Sequence, residues 1–300
     1  MGLRERLADP NSPDRRPRRA AYALPTLFTA GNIFLGYIAI LRSFRGALEF
    51  AIPAGSAQAA QQFVIAAQAI GAAFVLDGLD GRIARMTNTT SDFGREMDSL
   101  ADVISFGIAP AILAFAWGVY FVDPSIGEGV RHLRDIGAFV CFLFLLCGAA
   151  RLARFNVQKN PVPKNPGKPD RKYFVGMPIP AAAGMVAAVV YAWGGQPLAY
   201  WPFAAVWLAL LTLLGFLMVS TWRYHSFKGL NLNKAYSPLL IILLGALIYA
   251  IWNYGRPVLL ALAAAYVASG IVIRIGGIVR RRILKVPPRR VSPPQEHGVG

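Results

Sequence analysis

Four aspartates recur at helical spacing in the stretch DGLDGRIARMTNTTSDFGREMDSLAD (77–102), which lies between two strongly apolar runs. Asp77 and Asp80 are spaced i, i+3, and Asp98 and Asp102 are spaced i, i+4, so each pair lies on one face of its helix. A short loop joins the helices and lets the two faces meet. Converging carboxylates repel each other unless protons or cations neutralise them. Four hard oxygen ligands suit two Mg²⁺, Mn²⁺ or Ca²⁺ ions rather than Zn²⁺, and such a pair typically clamps a phosphate or pyrophosphate.

Small and basic residues of the same stretch fit a phosphate ligand. Gly78, Gly81 and Ala84 leave one helix face bare, so that a bulky group can lie against the backbone. Arg85, close to the same face as Asp77, can pair with phosphate oxygens, and Ser91 can donate a hydrogen bond from the loop. Solvated loop acids and glycines used for helix packing are the alternatives for any one of these residues. Their joint spacing favours a metal-phosphate site.

The composition of the chain indicates which elements position this site. Of its 300 residues, 55% are hydrophobic and only 15% are charged, which is unusual for a soluble domain. Apolar blocks of about 20 residues alternate with short polar segments, as in multi-spanning membrane proteins. The blocks are continuous and do not alternate residue by residue, which favours helices over a β-barrel. We therefore expect an all-α, polytopic transmembrane helical bundle.

About eight spans are predicted, and the last two are close enough in sequence to form a helical hairpin. The predicted spans are 22–43, 62–83, 98–121, 136–156, 177–195, 201–221, 237–254 and 256–275.

The charge pattern predicts the orientation in the membrane. The net charge is +16, and the basic residues collect in both terminal segments and in alternate loops. This distribution follows the positive-inside rule, and it argues against a nucleic-acid partner. It places both termini and the acidic stretch on the cytoplasmic side of the cell (inner) membrane. Residues 1–21 are then a basic cytoplasmic tail, and residues 276–300 a basic, disordered one.

The acidic stretch resembles a known family. Its pattern D-x2-D-G-x2-A-R-x8-G-x3-D-x3-D is the signature of the CDP-alcohol phosphatidyltransferases, without departure. The resemblance implies a six-helix catalytic core over about 22–221 and a homodimeric assembly. The two last predicted spans would then form an additional transmembrane hairpin within 222–275. The residues that match the signature are Asp77, Asp80, Gly81, Ala84, Arg85, Gly94, Asp98 and Asp102.

The resemblance also implies a role for each site residue. Asp77 and Asp98 would each bridge two divalent cations, Mg²⁺ or Mn²⁺. Asp80 would ligate one ion, and Asp102 would ligate the other and act as the general base toward the incoming alcohol. The residues that would contact the CDP moiety are Gly81, Arg85 and Ser91, together with Thr26 and Thr29 at the start of the first span.

Flanking segments suggest the acceptor. DSLADVISFGIAPA (98–111), GAARLARFNV (148–157) and FVGMPIPAAAG (174–184) resemble the phosphatidylserine synthase branch, and Ser99 stands where glycerol-phosphate enzymes tend to carry proline. The implied reaction transfers the phosphatidyl group of CDP-diacylglycerol to L-serine, with release of CMP. Arg151 and Arg154, spaced i, i+3 at the end of the fourth span, can bind the serine carboxylate. They equally suit an anchoring role among lipid headgroups.

Other functions remain open on the sequence. Glycerol phosphate, inositol phosphate or choline are alternative acceptors, and an ether lipid is an alternative donor. A divalent-cation transporter is an alternative of another class, since intramembrane acids often mark ion paths. The acids here cluster at one predicted membrane boundary, which favours an interfacial enzyme. A non-catalytic lipid-binding or scaffold protein would not need the complete set of acids.

Overall fold

The computed structural model describes the backbone of residues 16–52, 55–87, 92–123, 127–159, 173–225 and 238–283. Side chains are described over fewer residues, and those of 16–26, 80–87 and 277–283 are among the segments left out. Over the described residues the fold is a bundle of helices with one very small sheet. The predicted all-α class is confirmed.

The helices are long, and several exceed the predicted spans at both ends. One of them is continuous through three parts, α3, a π-helical segment at Val103–Ile108, and α4. The α-helices are α1 (Arg16–Phe50), α2 (Ser56–Thr87), α3 (Asp92–Asp102), α4 (Ala109–Gly118), α5 (Glu128–Lys159), α6 (Ile179–Ala192), α7 (Trp201–Val219) and α8 (Pro238–Ile283).

Small residues allow α1 and α2 to pack closely along their length. A Cβ at Gly46 would meet the ring of Phe63, and one at Gly31 would meet the side chain of Leu76, both on α2. Ala59 and Ala66 on α2 are completely buried. Close approach of helix backbones through such residues is the usual packing mode where lipid offers no hydrophobic driving force between helices.

The buried core of the bundle is built mainly by α2, α4, α6 and α7, and α5 adds a smaller part. The indole nitrogen of Trp207 donates a 3.1 Å hydrogen bond to the carbonyl of Ala114. Its ring lies edge-on to Trp117, with 5.2 Å between the ring centroids. A Cβ at Gly118 would collide with the same indole, so glycine is needed for α4 and α7 to approach at this point.

The predicted count of eight spans is not confirmed. By length and composition, six of the described helices can cross a membrane. The predicted span at 177–195 corresponds to α6, a helix of 14 residues. At 1.5 Å per residue it extends about 21 Å, less than the roughly 30 Å of a hydrocarbon core. Pro178, in extended conformation, precedes it, and Gly194 and Gly195 follow it with positive φ.

The last two predicted spans meet in one kinked helix. The backbone of α8 departs from helical geometry at Tyr254 (φ −130°, ψ 41°), close to Pro257. Proline removes a backbone donor and forces a bend in a helix. The two parts therefore meet at this break in helical geometry, and their arrangement as a hairpin stays a prediction. The predicted boundary at 254–256 coincides with this kink.

Two strands that the sequence did not indicate form a small antiparallel sheet. β1 (Tyr173–Val175) pairs with β2 (Arg223–His225), with Phe174 opposite Tyr224. Gly176 follows β1 with φ +80°, and its amide donates a 2.8 Å hydrogen bond to the carbonyl of Trp222. The sheet connects the beginning of α6 with the end of α7.

Candidate active site

Three of the four predicted aspartates come together. Asp77 on α2 and Asp98 and Asp102 on α3 each offer a carboxylate oxygen, and these oxygens all lie within 4.8 Å of one another. Asp77 and Asp102 are half-buried. The two consecutive helices therefore bring their acidic faces together, as their spacing predicts. Asp80 lies on α2, but its side chain is outside the described ones.

This donor set fits a divalent cation. Three carboxylates at such short separation are mutually repulsive, and a bound cation removes the repulsion. Their oxygens are hard ligands of the kind that Mg²⁺ and Mn²⁺ prefer. The side chains present are thus consistent with the predicted metal site.

Contacts with α1 hold the helix that carries Asp98 and Asp102. The hydroxyl of Ser105 donates a 2.8 Å hydrogen bond to the carbonyl of Asn32 on α1, and both residues are buried. Ser105 belongs to the π-helical segment, which begins directly after Asp102. A π turn contains more residues than an α turn, and such segments are frequent at functional sites. Here it sets the rotation of α4 relative to the two aspartates.

Arg151 is a buried basic residue whose charge acts on the acidic cluster. It lies on α5, is only 7% exposed, and its guanidinium carbon sits 5.3 Å from the centre of the Phe155 ring. Its positive charge and the negative charge of Asp102 attract each other. A positive charge is therefore buried beside the group predicted to be the base.

Arg154 has a different environment from Arg151. Its guanidinium donates to the carbonyl of Val219 at 3.0 Å, and to those of Met218 and Ser220 at 3.4 Å each. These carbonyls form the C-terminus of α7, where the unpaired groups and the helix dipole favour a cation. The structure thus places the two arginines in separate surroundings, although their spacing would allow both to reach one ligand.

A contact between Asn156 and Ser99 is a feature that the sequence did not indicate. The side-chain amide of Asn156 donates a 2.8 Å hydrogen bond to the hydroxyl of Ser99, which itself donates to the carbonyl of Arg95 at 3.0 Å. The bond joins the end of α5 to the helix of the aspartates. The one sequence feature that points to this contact is Ser99 itself, which stands where glycerol-phosphate enzymes tend to carry proline.

The predicted nucleotide contacts are described only in part. Thr29 lies on α1 and is 5% exposed, and α1 packs against both α2 and α3. Thr26, Gly81 and Arg85 lie on described helices, but only their backbone is described. Ser91 lies outside the described residues. Their contact with CDP stays a prediction.

Comparison with known proteins identifies the family of this chain. Residues 22–218 match the family model of the CDP-alcohol phosphatidyltransferases. A Helicobacter pylori protein named CDP-diacylglycerol–serine O-phosphatidyltransferase is 38% identical, over 90% of this chain and 95% of its own length. A Bacillus subtilis protein of the same name is 34% identical over 51% of this chain and 70% of its own length. An archaetidylserine synthase of Methanothermobacter thermautotrophicus is 33% identical over 71% of this chain and 74% of its own length.

Proposed function

Because this chain belongs to the CDP-alcohol phosphatidyltransferase family, we propose that it transfers the phosphatidyl group of CDP-diacylglycerol to L-serine, giving phosphatidylserine and CMP. The observation that carries the proposal is the meeting of Asp77, Asp98 and Asp102. The names of the relatives support serine as the acceptor. The reaction is a step of phospholipid biosynthesis.

The acidic cluster is proposed to hold two divalent cations, Mg²⁺ or Mn²⁺. Asp77 and Asp98 would be shared between the two sites, Asp80 would complete one and Asp102 the other. Bound there, the cations would supply positive charge for the pyrophosphate oxygens of the liponucleotide. The close approach of the three described carboxylates supports this assignment.

Asp102 is proposed as the general base. Its carboxylate accepts the proton of the serine hydroxyl as the serine oxygen attacks the phosphorus that bears diacylglycerol. The new oxygen–phosphorus bond forms while the bond to CMP breaks, and CMP carries away the electron pair. The buried charge of Arg151 offsets part of the negative charge that gathers near Asp102.

Arg151 is the better candidate for the serine carboxylate. A guanidinium offers a planar fork of donors that matches a carboxylate. Arg151 is buried near Asp102, as an acceptor-binding group must be, because the serine hydroxyl and carboxylate are only a few atoms apart. Arg154 binds the end of α7, and we assign it a structural role there.

The membrane arrangement follows from the same account. Six long apolar helices support an integral membrane protein. We propose that it lies in the cell membrane with the site and both termini on the cytoplasmic side, that CDP-diacylglycerol reaches the site with its acyl chains in the bilayer, and that it acts as a homodimer. The charge distribution supports the orientation.

An acceptor panel tests the proposal. The purified chain in lipid vesicles would receive CDP-diacylglycerol, Mn²⁺ or Mg²⁺, and one alcohol at a time: serine, glycerol phosphate, inositol phosphate or choline. Serine alone is expected to release CMP and yield phosphatidylserine. CMP release with another alcohol would show that the acceptor is not serine, while the proposed transfer reaction would stand. Cation uptake into sealed vesicles without any CMP release would favour a transporter.

A further inference from the structure

Asn32 lies within the apolar span Leu27–Phe50 of α1, and its side-chain oxygen is buried without a hydrogen-bond partner among the described residues. We propose that this oxygen, Oδ1, binds the ammonium group of the acceptor beside the acidic cluster, and that Asn32 is thereby a specificity-determining residue of the reaction. This inference rests on the proposed function, since it presupposes an acceptor that carries an ammonium next to its hydroxyl.

The burial of the carboxamide is the first support. Asn32 is 2% exposed, and its backbone carbonyl is already used, since it accepts the 2.8 Å hydrogen bond from the Ser105 hydroxyl. A buried acceptor that has lost its water without gaining a donor destabilises the fold. Polar groups inside a membrane span are costly in the same way and are commonly functional. A ligand that donates a hydrogen bond to Oδ1 would remove this cost.

The direction of α1 is the second support. A Cβ at Gly36 would meet the backbone and side chain of Ser105. At the end of α1, the ring of Phe50 lies 4.4 Å from that of Phe121, which follows α4. The helix α1 therefore runs in the same direction as the continuous helix formed by α3, the π-helical segment and α4. Residues that precede Gly36 on α1 lie beside residues that precede Ser105.

The side chain of Asn32 lies on the face of α1 that meets this continuous helix. Asn32 precedes Gly36 by four residues, and residues four apart share one helix face. Side chains of a helix also tilt toward its N-terminus, which carries the carboxamide back from the level of Ser105. Asp102 precedes Ser105 by three residues. The buried oxygen is thus placed beside the helical turn that ends with the proposed base.

Asp102 faces the space between α1 and α5. Ser99, three residues before it, accepts a hydrogen bond from Asn156 of α5, and Ser105, three residues after it, bonds to α1. A step of three residues turns the face of an α-helix by about 60°, and a π turn increases the step, so Asp102 points between these two neighbours. An acceptor held at Asp102 therefore has α1 on one side and α5, with Arg151, on the other.

The chemistry of serine matches the groups around this position. One carbon of serine bears both the ammonium and the carboxylate, and the neighbouring carbon bears the hydroxyl. A single molecule can thus present its hydroxyl to Asp102, its carboxylate to Arg151 and its ammonium to Asn32. An ammonium has N–H donors and no acceptor, and a carboxamide oxygen accepts. The clustered carboxylates are proposed to bind cations, which repel an ammonium, so an uncharged oxygen outside the metal sites is the better partner.

The same chemistry distinguishes serine from the other alcohols. Glycerol phosphate and inositol phosphate carry no ammonium, and the quaternary ammonium of choline has no N–H to donate. Each of them would leave Oδ1 of Asn32 buried without a donor, which is a strong basis for discrimination between substrates.

Asn32→Leu tests this inference, because leucine is similar in size and cannot accept a hydrogen bond. The two acceptors compared are serine and 3-hydroxypropionate, which is serine with a hydrogen in place of the ammonium. CMP release from CDP-diacylglycerol in vesicles with Mn²⁺ gives kcat and KM for each. Asn32→Leu is expected to raise the KM for serine roughly tenfold, as for a lost hydrogen bond to a charged group, with little change in kcat or in the KM for CDP-diacylglycerol. Its kcat/KM for 3-hydroxypropionate is expected to stay within about twofold of the wild type, because that acceptor has no ammonium for Asn32 to bind.

Ser43→Ala is the matched control. Ser43 is a buried polar residue of the same span, and its hydroxyl bonds within α1 to the carbonyl of Ala39 at 2.8 Å. This control is expected to keep the wild-type preference for serine over 3-hydroxypropionate. Size-exclusion profiles check the folding of each variant, and Asn32→Ala, with the same expected result, replaces Asn32→Leu if the leucine variant does not fold.

Three results would overturn the inference. An equal loss with both acceptors would show that Asn32 has only a structural role. A raised KM for CDP-diacylglycerol with an unchanged KM for serine would assign the oxygen to the liponucleotide. Equal kcat/KM values of the wild type for serine and 3-hydroxypropionate would exclude an ammonium subsite without the use of any variant.

The wild type also separates this inference from the proposed function. Serine-dependent CMP release by the wild type, with an unaltered KM for serine in Asn32→Leu, refutes the role of Asn32 alone. Absence of CMP release with every alcohol refutes the proposed function as well.

Discussion

The side-chain amide of Asn156 donates a 2.8 Å hydrogen bond to the hydroxyl of Ser99, the residue that follows Asp98. It ties the end of α5 to the helix that carries two of the three clustered carboxylates. Since α5 also carries Arg151, one polar contact links the helix of the proposed base to the helix of the proposed acceptor-binding residue. The contact therefore helps to fix the relative placement of the two groups.

Asn156→Ala is therefore expected to lower kcat about three- to tenfold, because small displacements of catalytic groups are costly in rate. The KM values for both substrates change less. Asn253→Ala is the matched control, since Asn253 is exposed and its amide bonds within α8 to the carbonyl of Tyr249. CMP release at saturating substrates measures the effect. An Asn156→Ala enzyme as active as the control would show that the contact has no catalytic importance.

Arg154→Ala is expected to destabilise the protein rather than to weaken serine binding selectively. The change removes three hydrogen bonds to the carbonyls at the end of α7. We expect a loss of about 1–3 kcal/mol in the free energy of unfolding. Thermal unfolding in detergent measures it, with the exposed Arg131→Ala on the same helix as control. A raised KM for serine at unchanged stability would contradict this structural role and show that Arg154 binds the acceptor.

Gly36→Ala is expected to disturb the support of the acidic helix. A Cβ at this position would collide with Ser105, whose hydroxyl bonds to the carbonyl of Asn32. Overpacking of this kind costs about 1–3 kcal/mol, and we expect activity to fall with stability. Gly71→Ala on α2 is the matched control, because nothing lies within 4 Å of its added Cβ. Equal unfolding temperatures in the two variants would contradict the packing account.

Stability at high pH is expected to depend on Tyr224. Burial raises the pKa of the Tyr224 hydroxyl from 10.0 to about 12. A group whose pKa is higher in the folded state stabilises fully below its unfolded pKa, and this contribution is lost as the pH rises from about 10 to about 12. Tyr224→Phe removes this loss, so its unfolding temperature is expected to fall less than that of the wild type between pH 9 and pH 11. Parallel curves for the two proteins would show that the hydroxyl ionises normally.

The sequence predicts local features of this protein better than distant ones. The aspartates share helix faces because the periodicity of a helix fixes which residues lie together, and consecutive helices pack readily. The partners of Arg154 lie some 65 residues away on α7, so no spacing within α5 could reveal them. The predicted span 177–195 is longer than α6 because apolar composition does not show where Pro178 and Gly194 interrupt a helix.

The sheet and its contact with α8 could not be predicted for a similar reason. Strands of three residues carry almost no periodic signal, and their pairing joins segments about 50 residues apart. The packing of the Tyr224 ring against Tyr266 depends on how α8 meets this sheet, which is a tertiary property. The individual roles of Thr26, Thr29, Gly81, Arg85 and Ser91 remain predictions.

The most direct test of the account is the formation of phosphatidylserine by the wild type and by Asp102→Asn. The purified chain in vesicles is given CDP-diacylglycerol, Mn²⁺ and labelled serine, and the lipid product and CMP are counted together. Asp135→Asn, at an exposed aspartate of α5, is the control. The account predicts equal amounts of both products from the wild type and the control, their loss on chelation, and a drop of at least about a hundredfold in Asp102→Asn, as for removal of a general base. Undiminished serine transfer by Asp102→Asn would contradict the assignment of the base and with it the proposed chemistry of the acidic cluster.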